Sequence, residues 1–163
     1  MTSAAHPNAQ VIESFYKAFQ SRNTDGMVAC YADDIWFSDP VFRDLRGPRV
    51  GAMWRMLGAR STTLELEFRD VAADDTTGRA HWEARYVFSA TGRKVHNIID
   101  ARFELKGGKI VRHADSFDLW KWAGQALGLK GKLLGWAPPV QNAIHNTAMT
   151  GLADYEAKQR PSS

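Results

Sequence analysis

A chain of 163 residues with 44% hydrophobic and 24% charged side chains has the balance of one soluble globular domain, able to bury roughly two thirds of its unfolded surface. Its net charge of +3 is scattered, with no basic run, zinc-ligand spacing or nucleic-acid motif, which excludes nucleic acid as the expected partner. The single cysteine, Cys30, excludes an internal disulfide, and no window approaches the roughly 18 apolar residues of a membrane-spanning helix.

The first stretch, "MTSAAHPNAQ", has no apolar core of signal-peptide length, so a cytoplasmic location is expected. Residues 8–22 place Val11, Ile12, Phe15 and Phe19 at helical spacing and predict a first helix. "NTDG" then supplies turn chemistry. A short second helix over "MVACYA" is predicted, with Asn23 or Thr24 as its N-cap and Cys30 as a small core residue. "YADDIWFSDPVF", residues 31–42, reads as a short strand in which Asp39 sits between an apolar run and Pro40. Residues 47–60 read as a third helix, with Pro48 just inside its start and Val50, Met53, Trp54 and Leu57 as its apolar stripe.

The period then changes from helical to alternating. "TLELEFRDVAA", "RAHWEARYVFS", "KVHNIIDARFEL" and "IVRHADSFDL" read as four consecutive strands, with turn signals in "ATGR" and "KGGK". Short connections predict a largely antiparallel, strongly curved sheet. After it, Asp118 caps "LWKWAGQAL". The Gly- and Trp-rich link "GLKGKLLGWAPP" leads to a last helix with Val140, Ile144, Ala148 and Leu152 spaced by four. "KQRPSS" reads as a frayed tail. The fold class is therefore α+β: a cone-shaped sheet packed against three N-terminal helices, with an extra C-terminal helix. A single domain, 1–163, is expected, its core at about 8–122 and its helical extension at about 123–157.

"FYKAFQSRNTDGMVACYADDIWFSDPV" followed by "GGKIVRHADSFDL" resembles the nuclear-transport-factor-2-like superfamily, over roughly residues 8–122. That cone fold is shared by ketosteroid isomerases, limonene-epoxide hydrolases and SnoaL-like polyketide cyclases. The resemblance to the isomerases implies that Asp39 is a proton-shuttling base. Their oxyanion donors fall on Phe15, beside Tyr16, and on Ile99, so that hole is absent. The resemblance to the hydrolases matches Asp115, but their Arg-x-Asp pair falls on Trp82 and Ala84. Glu83 and Arg85 would face the other side of the sheet. The resemblance to the cyclases, which use a late-strand Asp with a nearby His, matches Asp115 and His113.

Strand alternation groups these side chains. If Asp115 points inward, so do His113 and Phe117; Asn97 and Ile99 share a face, as do Trp82 and Tyr86, and Phe37 and Asp39. With Phe15, Tyr16 and Trp54 they describe an apolar pocket with a few polar points, suited to a hydrophobic small molecule. In such a pocket Asp39 and Asp115 would titrate as a coupled pair, one acid and one base, with His113 as shuttle. No cofactor and no metal are expected. Structural roles stand beside these: Asp39 as a turn cap, Asp115 as a buried backbone acceptor, His113 as a satisfied core histidine.

His96, Asp100 and Arg102 fall on the outer face of the sheet, as a homodimer interface or a solvated surface. The Trp/Leu/Lys-rich tail reads as a lid or dimer contact, with a surface-seeking segment as the alternative. Three functions are consistent with these residues, in this order. They are a cofactor-independent acid–base enzyme (isomerase, cyclase, dehydratase or epoxide hydrolase), a non-catalytic small-molecule carrier, and a dimeric interaction module.

Overall fold

The computed structural model describes residues 5–160; the last three residues of the tail "KQRPSS" lie outside it. Three helices come first: α1 (Pro7–Gln20), α2 (Thr24–Ala29) and, after two strands, α3 (Pro48–Arg60). The strands are β1 (Tyr31–Ser38), β2 (Leu45–Arg46), β3 (Glu65–Ala73), β4 (Thr77–Phe88), β5 (Arg93–Lys106) and β6 (Lys109–Ser116). Three further helices follow: α4 (Leu119–Leu127), α5 (Leu129–Leu134) and α6 (Pro138–Gln159). The six strands form one curved, unclosed sheet in the order β2-β1-β6-β5-β4-β3.

Local chemistry explains the boundaries. Asn23 caps α2 by accepting from the Gly26 amide at 2.9 Å, so of the two expected caps it is the one used. Tyr31 belongs to β1 rather than to the end of α2. β1 stops at Ser38 because Asp39 and Pro40 turn the chain, which ends the expected strand four residues early. Gly47, at φ +59°, makes the corner from β2 into α3, a conformation that costs a glycine little. Asp118 caps α4 through the Lys121 amide at 3.0 Å.

Every neighbouring pair of strands is antiparallel except β1 and β6, which run parallel. That pairing sets Phe37 beside His113. It brings the turn after β1 next to the end of β6, so residues far apart in sequence share one end of the sheet. Ile12, Phe15 and Tyr16 of α1, and Val50, Met53 and Met56 of α3, are buried over the sheet's inner face. Asn8 fixes the start of α1 by donating to the carbonyls of Asp74 and Asp75 at 3.0 and 3.1 Å.

The C-terminal segment differs from the expected link and single helix. The link contains α5, and the glycines that suggested a break instead let two helices touch. A Cβ on Gly131 would overlap the Ala123 carbonyl of α4. α4 is held on the β4–β5 hairpin by Trp122 donating to the Tyr86 hydroxyl (2.8 Å) and by Gln125 accepting from the His96 amide (2.7 Å). α6 returns across the sheet end and is clamped by Arg49–Glu156 at 2.9 Å and by buried Leu152. No helix among the described residues is long and apolar enough to cross a membrane.

The helix contact at Gly131 is testable against an open glycine. Gly131→Ala is expected to lower unfolding free energy by about 1–3 kcal/mol, because the methyl meets backbone that cannot rotate away. Gly58→Ala in α3, where the new methyl meets nothing within 4 Å, is expected to be neutral or stabilising by about 0.5–1 kcal/mol. Urea unfolding of both variants checks the pair; equal effects would mean that α4 and α5 do not pack this tightly.

Candidate functional site

The site is built around one buried histidine. His113 is fully buried, and both ring nitrogens have partners: Nδ1 lies 2.8 Å from the Tyr31 hydroxyl and Nε2 lies 2.9 Å from Asp115 Oδ1. The Trp54 indole N–H donates to the Tyr31 oxygen at 3.0 Å. With that oxygen already accepting, the arrangement that uses every donor has Tyr31 O–H donating to Nδ1 and Nε2–H donating to Asp115. Trp82 adds a second, longer donor to Asp115 Oδ1 at 3.4 Å. Asp115 Oδ2 makes no hydrogen bond within the described residues. Around the imidazole stand Phe15, Phe37, Trp54 and Phe103, with ring centroids 5.5, 5.0, 6.4 and 4.4 Å away. Burial holds the Tyr31 phenol well above its ordinary range, the Trp54 bond opposing.

Asp39 occupies the turn after β1. Its Oδ1 accepts from the Val41 and Phe42 amides at 2.7 and 2.6 Å, so it does cap the turn. The carboxyl is nonetheless pushed up to about 7. Loss of hydration is the largest cause; the Phe42 amide opposes it, the charge of Asp115 adds to it, and the Val41 amide and Arg43 oppose it. The residue retains some exposed surface, but desolvation of the carboxyl outweighs two short amide bonds. Oδ2 makes no hydrogen bond within the described residues, so the proton of the neutral form belongs there. One side chain thus both caps the turn and carries a carboxyl shifted by burial.

Beside this cluster lies an apolar cavity of about 710 Å³. Of the residues grouped by alternation, Tyr86, Asn97 and Phe117 line it. Asp39, His113 and Asp115 do not; nor do Phe15, Tyr16, Phe37, Trp54, Trp82 and Ile99, which are buried in the core next to it. The Asp39 carboxyl lies close behind the wall. Val41 and Phe42, which hold Asp39, are part of the lining, and the Asp39 charge is felt at the Tyr86 phenol. Tyr16, stacked on Phe68 at 5.3 Å, has the only buried side-chain polar atom without a hydrogen-bond partner among the described residues. Burial raises its phenol far above the ordinary value, and the charge of Asp115 adds to that.

Two groups of residues escaped the sequence reading. Tyr31 shares the inward face with Ile35 and Phe37 by simple alternation, but a register shift between Tyr31 and Trp36 blurs the pattern. The far wall of the cavity comes from α6, through Val140, Ala143, Ile144, Thr147 and Ala148. His145 of the same helix is hydrogen-bonded to the Val41 carbonyl at 2.7 Å, which ties α6 to the Asp39 turn. The four-residue spacing of Val140, Ile144 and Ala148 marked this face without showing that it borders a cavity.

On the outer face, Glu83 lies 2.7 Å from His96 and 3.1 Å from His81, and His81 also bonds Asp100 at 3.0 Å. These contacts, the His81 bond first, hold the Glu83 carboxyl below its ordinary value. Trp82 and Ala84 are buried on the inner face, so no Arg-x-Asp pair stands there. Among the described residues no group of three or more His, Cys, Asp or Glu side chains could hold a metal ion.

Three solved structures superpose well. An LEH-like epoxide hydrolase from Mycobacterium tuberculosis has a TM-score of 0.62 and 22% identity over 82% of this chain and 95% of that one. A candidate polyketide cyclase from Xanthomonas campestris has a TM-score of 0.63 and 20% identity over 73% and 96%. An NTF2-like protein of unknown function from Burkholderia pseudomallei has a TM-score of 0.62 and 20% identity over 69% and 92%. At these identities the likeness shows the fold alone. No curated protein matches the sequence. Residues 12–113 match the SnoaL-like domain family, a span that begins within α1 and ends within β6 at His113. The chain belongs to the SnoaL-like domain family, within the nuclear-transport-factor-2-like superfamily.

Proposed function

We propose that this protein is a cofactor-independent acid–base enzyme acting on a hydrophobic small molecule. The observation that carries the reading is the desolvated Asp39 carboxyl, raised to about 7 and sensing the charge of Asp115 beside a 710 Å³ apolar cavity. Asp115 acts as the base through Oδ2, its Oδ1 being held by His113 and Trp82. Asp39 acts as the acid through Oδ2, its Oδ1 being held by the turn amides. A proton taken from one substrate atom by Asp115 and a proton given to another by Asp39 leave the protein's net charge unchanged. His113 and Tyr31 orient Asp115 and spread its charge. Isomerisation, cyclisation, dehydration and epoxide opening all need this pair of roles. The superposing epoxide hydrolase and candidate polyketide cyclase support the class of reaction without choosing among these.

A carrier that binds without turnover is the second reading, favoured by one observation: neither carboxyl is in the cavity lining. Catalysis requires the ligand, or the Val41–Phe42 wall, to shift so that an Oδ2 atom meets a substrate. We further propose the outer sheet face, with Ile98 exposed between the Glu83–His96 and His81–Asp100 pairs, as the surface through which two copies would associate. A monomeric mass by light scattering at high concentration contradicts that pairing.

Turnover of a panel of ketosteroids, epoxides and polyketides is the direct test. Asp115→Asn and Asp39→Asn are each expected to reduce kcat/KM by about 10²–10⁴-fold with ligand affinity nearly kept. Activity unchanged in both removes the acid–base mechanism, and a co-purifying ligand in native mass spectrometry without turnover leaves the carrier. Because Asp39 must hold its proton, the wild-type rate is expected to fall as pH rises through about 7.

The same carboxyl links stability to pH. Folding raises its pKa from 3.8 to about 7, so its contribution is complete below about pH 4 and is lost as pH rises through about 7. The stability difference between wild type and Asp39→Asn, measured by denaturant unfolding, is expected to shift toward the variant over that interval. A difference independent of pH would mean that Asp39 titrates as an ordinary surface carboxyl.

A further inference from the structure

Five large apolar side chains stand exposed on one short stretch of chain: Leu129 (71%), Leu133 (62%), Trp136 (58%), Trp120 (48%) and Leu134 (45%). Elsewhere among the described residues only Ile98 is a large exposed hydrophobic. Lys121, Lys130 and Lys132 lie in the same stretch, all exposed and none in an ion pair among the described residues. From Leu119 to Ala153 the sequence contains no Asp or Glu. A soluble protein that gained nothing from this patch would carry a solubility liability.

We propose that the α4–α5 hairpin docks the protein on an anionic lipid surface. The patch is preformed, because α5 is locked on α4 at Gly131 and Ala123. Its two tryptophans have satisfied their own indole donors, Trp120 on the Lys132 carbonyl and Trp136 on the Leu133 carbonyl, both at 2.9 Å. The rings can enter an apolar layer without stranding a polar N–H, which is the usual penalty for such insertion. Lysines among the apolar side chains would meet lipid phosphates and carboxylates at the headgroup level.

Charge chooses this occupant over a second copy. A symmetric dimer through the patch would set three unpaired lysines against another three. Five exposed apolar side chains among the lysines choose a lipid surface over an acidic protein, which would pair the lysines and leave the rings in water. Lys130, exposed in the patch, also lines the cavity, together with Trp122, Leu127 and Gly131. The cavity wall thus reaches the patch at Lys130, which would give an apolar ligand dissolved in a bilayer a short route to the interior; this last step rests on the small-molecule reading above, while the docking does not.

Vesicle flotation of the full chain tests the proposal. Binding is expected to vesicles of equal parts phosphatidylcholine and phosphatidylglycerol, to weaken with added salt, and to be much weaker on phosphatidylcholine alone. Lys130→Gln and Lys132→Gln are each expected to weaken it by about fivefold. Leu133→Ser and Trp136→Ser should reduce it further, with circular dichroism unchanged, since both side chains are exposed. No flotation of the wild type overturns the proposal, as does flotation equal in all four variants. Binding to poly-L-glutamate without flotation, or a dimer abolished by Leu133→Ser in protein that does not float, overturns it in favour of another occupant. Asp115→Asn should float normally, so failure here and failure of the acid–base reading are separately visible.

Discussion

The structure turns on satisfying a histidine where there is no water. Each imidazole nitrogen of His113 would cost about 1–3 kcal/mol if buried without a partner. Tyr31 at one end and Asp115 at the other remove that cost and fix the tautomer together. The parallel pairing of β1 with β6 makes this possible, because it brings the strand that carries Tyr31 alongside the strand that carries His113 and Asp115. The aromatic shell of Phe15, Phe37, Trp54 and Phe103 then excludes solvent. In a polar setting the same residues would make an ordinary hydrogen-bonded strand. Here they hold one carboxylate oxygen firmly and leave the other unbonded.

The three C-terminal helices complete what the sheet leaves open. α4 is held on the hairpin at Tyr86, and α6 reaches the Val41 carbonyl through His145. The Val41 amide in turn bonds Asp39. The helix that walls the cavity is therefore one peptide away from the acid proposed to work beside it. A ligand pressing on α6 has a short physical path to the Asp39 turn, and the carboxyl's hydration would respond to it.

Much of this was legible in the residues. The change from helical to alternating period marked where helices give way to sheet, and "ATGR" and "KGGK" marked its hairpins. Alternation alone paired His113 with Asp115 and set Trp82 opposite Glu83. What it could not weigh was depth. Phe15, Tyr16, Phe37, Trp54, Trp82 and Ile99 face inward, but they fill the core rather than line the cavity, because several large rings packed together leave no void. The cavity formed instead where small side chains of α6, such as Ala143 and Ala148, face the sheet end. β2 is too short to carry a periodic signal. α5 was hidden by glycines that usually signal a break and here permit close contact. Tyr31 was hidden by the register shift in β1.

Two carboxyls from distant segments share a desolvated environment, and the charge of Asp115 raises the proton affinity of Asp39. Carbon-13 NMR titration of the Asp39 carboxyl in the ligand-free protein measures this directly. A midpoint near 7 that moves down in Asp115→Asn is expected, since the charge of Asp115 is one of the causes raising it. A midpoint in the ordinary carboxylate range, unchanged when Asp115 loses its charge, would contradict it.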